Sequence, residues 1–458
     1  MDAMELQKTH PAYAHMIADW KRFRAVYDGT DAIIKAGYFK KNERESPENF
    51  ERRSEEALSF GLSHSIIDLF SQYLFLHPIK RDFGNLAKDE LFERFLADCD
   101  FAGNSVDVRF REDSKWAAVY GHIGYLVDRP ETASANRAED LANDRRPFVS
   151  RYFPPSILDW EFRRESGRLK LTYIKLLDSD GRYRIWQLDS WQVWSIHRET
   201  GEPILDDEGI NTLGVVPFVW LYSTPSPDRP GLGLSDMAEL SRFDLSIMSN
   251  ISQGDEVVTY AAFPMMRMPM KKAGEDQDDN VGSTAVLEFN PEFPESKPDW
   301  LKAEVKEPIE AIQSWVALKE QRAYKHAHAS FIAGVGQTQA KAGIALQIEF
   351  TELGAALARK AKGLQDCEMA IYKLYAAWQN QQFDGSVAYP AKFDMDELQD
   401  TLANLLTARA LVPSKLFAAE AAKRAVRASM PDLSAELAEK INTECDADST
   451  SYEPPEGV

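Results

Sequence analysis

Apolar residues recur at three- and four-residue intervals through the first 125 positions, the period of one helical face. Leu6–Tyr27 carries Tyr13, Ile17, Trp20, Phe23 and Tyr27 on such a face. Phe50–Leu76 repeats the pattern with Leu58, Leu62, Ile66, Leu69 and Tyr73, and His77-Pro78 ends it. Lys88–Asp98 and Val106–Tyr125 predict further helices, and the polar Asn136–Arg146 predicts a loop. From about 148 to 223 the period changes to two. Arg168–Leu176 alternates polar and apolar residues, Asp178-Ser-Asp-Gly181 is a turn, and Arg182–Leu188 follows, which predicts a β-hairpin. Trp191–His197 and Val215–Tyr222 predict further strands, so a small antiparallel sheet is attached to the helical region in an α+β unit.

A Pro/Gly hinge, Thr224-Pro-Ser-Pro-Asp-Arg-Pro-Gly-Leu-Gly, precedes Ser235, an N-cap for a long helix to Ala262, with Asp236 and Glu239 at its positive end. Phe263–Glu304 breaks the pattern with five prolines, an acidic turn at Glu275–Asp279 and one strand-like run, Ser283–Phe289. Pro308 sits in the first turn of a second long helix, which runs to Ser330. After the small-residue loop Phe331–Ala342, a third helix, Gly343–Gln382, has Phe350, Leu357, Leu364, Ile371 and Trp378 seven apart. Leu346, Leu353 and Leu374 partly fill the companion positions, and Lys360 and Cys367 are gaps in them. Asp394 and Glu397 resemble a capping box, and Pro413 and Pro431 separate three short helices. The polar, acidic stretch Asp446–Val458 predicts disorder.

Composition narrows the function classes. The chain has 458 residues, enough for two to four compact units or one elongated one, and a formal charge of −20. That balance argues against gripping nucleic acid over most of the surface, because such affinity comes from Lys and Arg neutralising phosphates. It does not exclude DNA sliding past. Cys99, Cys367 and Cys445 are far apart in sequence and form no Cys-x-x-Cys pair, which fits a reducing compartment. With no signal-like N-terminus and no apolar run of membrane length, the expectation is a soluble intracellular product.

Catalytic motifs are sparse. No phosphate-binding Gly-x-x-x-x-Gly-Lys-Ser/Thr loop occurs, Gly334-Val-Gly336 lacks the rest of a dinucleotide fingerprint, and no Gly-x-Ser-x-Gly elbow is present. His326 and His328 lie two apart, so on a helix they point about 200° apart and cannot share one ion. Asp276, Asp278 and Asp279 lack the glycine and terminal Glu of an EF-hand. No cofactor, metal site or catalytic residue is expected.

The informative pattern is two long helices flanking a Pro-rich, β-containing excursion; segments that long inside compact domains are usually functional. Leu240, Ile247, Ile251 and Val258 line one helix, and Ile309, Ile312, Trp315 and Tyr324 the other. Neighbouring copies could cover that surface by a head-to-tail interface that closes into a ring. A bundle within one monomer, with the third helix as partner, satisfies it equally well.

Several segments together resemble the portal proteins of tailed bacteriophages, the head-to-tail connector family. They are Val215–Tyr222 followed by Gly231–Leu240; Asp244–Tyr260 leading into Ala261-Ala-Phe-Pro-Met; Gly343-Ile-Ala-Leu-Gln with its long helix; and Leu411-Val-Pro-Ser-Lys-Leu with Pro431–Glu444. Trp20–Tyr27 and Phe50–Pro78 are similar less specifically, and the order of elements carries the likeness.

The resemblance implies a predominantly helical subunit with an α/β wing at 1–232, stem helices at 233–262 and 308–330, and a clip at 263–307. It also implies a tunnel loop at 331–342, a long wing–crown connecting helix at 343–393, a helical crown at 394–445 and a disordered tail. It implies a closed ring, a dodecamer, at one capsid vertex of the virion, assembled in the host cytoplasm. Double-stranded DNA passes through its channel without specificity during packaging and ejection. The implied partners are further copies of the chain, the terminase large subunit, a head–tail adaptor, and the major capsid and scaffolding proteins, with no membrane. Tunnel-loop residues facing DNA would be Gly334, Val335, Gly336, Gln337, Thr338, Gln339 and Lys341. Lys319, Arg322 and Lys325 are basic candidates for the channel wall. Leu240, Ile247, Ile251, Ile309, Ile312 and Trp315 are candidates for the stem interface, and Lys271 and Lys272 for a clip partner. Two alternatives remain. A helix-turn-helix regulator would use Ser414–Ala428, with Lys415, Lys423, Arg424 and Arg427, as its recognition helix. A hydrolase of unknown mechanism is the other.

Overall fold

Pro11 splits the first expected helix into α1 (Ala3–Gln7) and α2 (Pro11–Asp28), with the His10 Nδ1 accepting from the Ala12 amide at the break. The computed structural model describes residues 2–43, 45–130, 137–262, 265–267, 299–301, 305–329, 343–393, 406–408, 411–412, 414–429 and 435–448. Contacts divide the chain into two compact units, Met1–Phe393 and Asp394–Val458. The first takes in the stretches expected as wing, stem and connecting helix together.

After α3 (Thr30–Lys35), the second expected helix also divides, into α4 (Pro47–Glu56) and α5 (Leu62–Leu74). Leu58, assigned to its apolar stripe, lies between them and is 69% exposed. The face that α5 buries is Leu62, Ile66, Ile67, Phe70 and Leu74. Beyond β1 (Lys80–Asp82) and α6 (Glu90–Ala97), α7 spans Val106–Tyr120. It stops where Gly121 takes a left-handed φ of 91°, open to glycine at no steric cost. The next residues, expected as more helix, form β2 (His122–Asp128), buried along nearly its whole length. A strand covered on both faces has no alternation to read. The expected loop at 136–146 contains α8 (Arg137–Ala142).

The β region holds two antiparallel sheets rather than one. β2 is central between β3 (Phe148–Tyr152) and β9 (Phe218–Tyr222). The other sheet runs in sequence order through β4 (Ile157–Glu165), β5 (Arg168–Leu177), β6 (Tyr183–Gln187), β7 (Ser190–Ile196) and β8 (Pro203–Ile210). The expected hairpin is β5–β6, with Leu177 opposite Tyr183.

Three long helices follow. α9 spans Met237–Ala262, with the Ser235 hydroxyl accepting from the Met237 amide at its start, and α10 spans Lys306–His326. Between them β10 (Met265–Arg267) pairs antiparallel with β11 (Asp299–Leu301). α11 runs Gly343–Trp378 and buries Phe350, Leu353, Leu357, Leu364 and Ile371, the seam read from the sequence. The two seam gaps, Lys360 and Cys367, are buried as well. β12 (Ser386–Ala388) closes this unit against β1.

Two cores result. One gathers α5, α6, α7, β2, the end of α10 and α11; the other joins α2, α3 and the β4–β6 face around Trp20, Trp160 and Trp186. In the second unit, α12 (Lys415–Ser429) and α13 (Ala435–Asp448) pack together, and Lys423 pairs with Asp446 at 2.5 Å. Asp446, expected to start the disordered tail, is therefore helical. Among the described residues no helix is long and apolar enough to cross a membrane.

Candidate functional site

The stem region is built on α9, whose first half is set into the surrounding helices. Leu240 is 1% exposed and Ile247 0%, both in the core shared with α5, α7 and α11. Their assignment to a subunit interface is therefore corrected: these side chains are consumed within one chain. Asp244 occupies the same face between them, wholly buried. Its carboxylate accepts from the Leu62 amide at 3.0 Å and the Ser63 amide at 2.8 Å. The first turn of α5, which has no side-chain cap of its own, is thus capped from α9. Burial raises the Asp244 pKa above the ordinary carboxylate value, against the lowering by these donors.

About two and three turns further on, α9 is tied to α4. Arg53, 2% exposed, forms a two-pronged pair with Glu45 at 2.7 and 2.8 Å and donates to the Ser252 hydroxyl at 3.3 Å. Arg52 reaches Glu256 at 3.3 Å. Beyond these ties the helix is more open, and Val258 is 50% exposed.

α10 packs antiparallel on α9. Its Lys319 ammonium donates to the Ser246 hydroxyl at 2.7 Å and to the Asn250 side-chain carbonyl at 2.8 Å. Lys319, expected on a channel wall, is therefore committed to the helix pair, and burial lowers its pKa. Nearer the other end, Gly254 faces Ile312, and a methyl added there would meet it at 3.6 Å, an ordinary contact. Ile251, Ile309 and Ile312 are half-buried, and Ile251 packs on the first core. Trp315 is 55% exposed, and Arg322 and Lys325 are also exposed. Of the interface candidates, Trp315 alone presents most of its side chain outward. The clip candidates Lys271 and Lys272, and the loop candidates Gly334, Val335, Gly336, Gln337, Thr338, Gln339 and Lys341, lie outside the described residues.

Two buried ionic clusters on α11 were not anticipated. Lys360 bonds to Asp236 at 2.5 Å and to the Ser223 hydroxyl, joining α11 to the end of β9 and the start of α9. Glu368, fully buried, accepts from Arg81 at 2.5 Å, Tyr372 at 2.6 Å and Tyr389 at 2.7 Å. The available signal was the charge interrupting each apolar stripe: Asp244 between Leu240 and Ile247, and Lys360 within the α11 seam. Among the described residues no group of His, Cys, Asp or Glu is placed to hold a metal ion.

In the second unit, the helix that a DNA-binding regulator would use buries Ala418, Ala419 and Ala421. Its Lys423 is paired with Asp446, and Arg424 lies 3.8 Å from Glu420.

No protein-family model matches the chain, and no curated protein matches it. Among solved structures, it is similar to a chain of the "Virion of native gene transfer agent (GTA) particle". Identity is 12% over 76% of this chain and 84% of that one, with a TM-score of 0.41. It is also similar to a chain of the "Neck of empty GTA particle computed with C6 symmetry", at 10% identity over 81% and 90%, with a TM-score of 0.42.

Proposed function

We propose that the chain is the subunit of a portal-type ring, a non-enzymatic conduit for double-stranded DNA at one vertex of a phage-like particle. The observation that carries this reading is the α9–α10 pair. One half of α9 is fixed in the subunit body by Asp244 and by the pairs from Arg52 and Arg53; the other half leads with α10 toward the β10–β11 ladder. The pair leaves Trp315 and Val258 uncovered, surface that a like neighbour can bury. The residues between β10 and β11 then form the clip, the docking point for the packaging motor and later for the head–tail adaptor. The net charge of −20 suits passage, because phosphates are repelled rather than held. Arg322 and Lys325 are the exposed basic groups available to steer the duplex.

The test is the assembly mass of the purified chain. Twelve copies of 51.8 kDa amount to about 620 kDa, visible as rings in negative stain. Particles of monomer or dimer mass under every condition, including inside assembled virions, sink the reading.

A further inference from the structure

A cavity of about 260 Å³ opens where α9 begins, α10 ends and α11 crosses them; Thr224, Asp236, His326, His328, Arg359 and Lys360 are among its lining residues. In a chain with twenty more acidic than basic groups, this wall is cationic. Asp236 is its one carboxylate, and Lys360 already neutralises it at 2.5 Å. That leaves Arg359, which is exposed and has no hydrogen bond or ion pair among the described residues, beside two imidazoles. One of them, on His328, approaches Glu352 at 3.5 Å.

Two further features point inward. α9, 26 residues long, starts at Met237, so its positive end faces the side of the cavity formed by Asp236. His328 holds a left-handed φ of 56°, a conformation uncommon outside glycine and concentrated at functional sites. The volume falls below the range of pockets that enclose drug-sized molecules, and suits a small ion with water.

We infer that this cavity binds a tetrahedral phosphate group, with the Arg359 guanidinium as its main donor. Guanidinium geometry matches phosphate oxygens in a two-pronged contact. Thr224 and the imidazoles supply additional donors, and Lys360, held by Asp236 and Ser223, fixes the back wall. The phosphate can be free in solution or part of a nucleic-acid backbone. The inference stands whether or not the chain forms a ring.

The experiment is calorimetric titration of the full chain with inorganic phosphate and, separately, with a short duplex DNA. Assembly mass is recorded on the same samples, so that failure of the ring and failure of the pocket are read independently. Phosphate binds the wild type, Arg359→Ala weakens it by about tenfold or more, and Arg359→Lys recovers part of the loss. Arg198→Ala, exposed in the turn after β7 and outside the cavity, changes nothing. Arg359 is exposed, so the fold survives, and circular dichroism checks this. If duplex competes with phosphate and loses affinity in Arg359→Ala, the group recognised belongs to the nucleic-acid backbone. If duplex does not compete, the site takes free phosphate. No binding of phosphate at roughly ten-millimolar concentration, or equal binding by wild type and Arg359→Ala, overturns the assignment.

Discussion

Replacing Asp244 with alanine removes both acceptors from the buried start of α5 and leaves the Leu62 and Ser63 amides facing a cavity instead of a carboxylate. Each buried donor left without a partner costs about 1–3 kcal/mol. Relief comes from no longer burying a carboxylate, a cost visible in the upward shift of the Asp244 pKa. The net expectation is a loss of about 2–4 kcal/mol, at or above the upper end for loss of a helix cap. Asp244→Asn keeps one acceptor of similar shape, and its loss should be about half as large. Urea denaturation followed by tryptophan fluorescence measures the difference, and amide exchange at Leu62 and Ser63 localises it. In the alanine variant those two amides and the first turn of α5 should lose protection before the rest of the core. An alanine variant within about 0.5 kcal/mol of wild type, with unchanged protection there, would show that α9 does not cap α5.

Three further outcomes follow from the same geometry. His122 is fully buried against Trp20 and Trp220, its Nδ1 accepts from the Gly233 amide, and burial lowers its pKa from 6.5 to about 3. The unfolded imidazole therefore takes up its proton first as pH falls, so stability declines below about pH 6.5 by up to about 1.4 kcal/mol per unit and is unaffected above it. His122→Phe should lack this added slope, and equal slopes in the two proteins would refute the burial argument. Glu368→Ala removes the shared partner of Tyr372 and Tyr389 and one of the two partners of Arg81, which keeps Asp107, and should cost about 3 kcal/mol in the same denaturation assay; a cost under about 1 kcal/mol contradicts the network. Trp315→Asp, at an exposed position, should leave the subunit's melting temperature nearly unchanged while reducing assembly mass in native mass spectrometry. An unchanged mass would place Trp315 away from any interface.

The elements most readable in the sequence were those with one buried face. The seam of α11 is buried from Phe350 to Ile371 because that side of the helix lies on the core. β5 keeps its place in the hairpin but not its alternation, since Leu169 is exposed while Thr172 and Lys175 are buried. β2 was hidden for the opposite reason: lying between β3 and β9 and covered on both faces, it reads as a continuation of α7. The breaks at Pro11 and Gly61 are local and visible, yet apolar residues on both sides keep a helical spacing across them. The site was legible in outline, as two long helices around an excursion, but the destinations of individual side chains were not. Leu240, Ile312 and Trp315 all belong to apolar stripes, and only packing separates the one in the core from the one at the helix contact and the one left outside.

Polar residues settle what the apolar stripes leave open. A seven-residue seam such as that of α11 fits its groove nearly as well after a slip of two turns, since leucines and aromatics repeat along it. Lys360 and Glu368 do not repeat. Shifting either from Asp236 and Ser223, or from Arg81, Tyr372 and Tyr389, strands a charge in the interior, at a penalty larger than the packing lost. The same logic applies to α9, where Asp244 and the Lys319 bridge to Ser246 and Asn250 set its register against α5 and α10. These buried charges contribute little net stability once their desolvation is counted; their effect is to give each long helix one position along its axis. In the ring proposed above, where many copies of that helix pair would align, that single position matters more than additional stability.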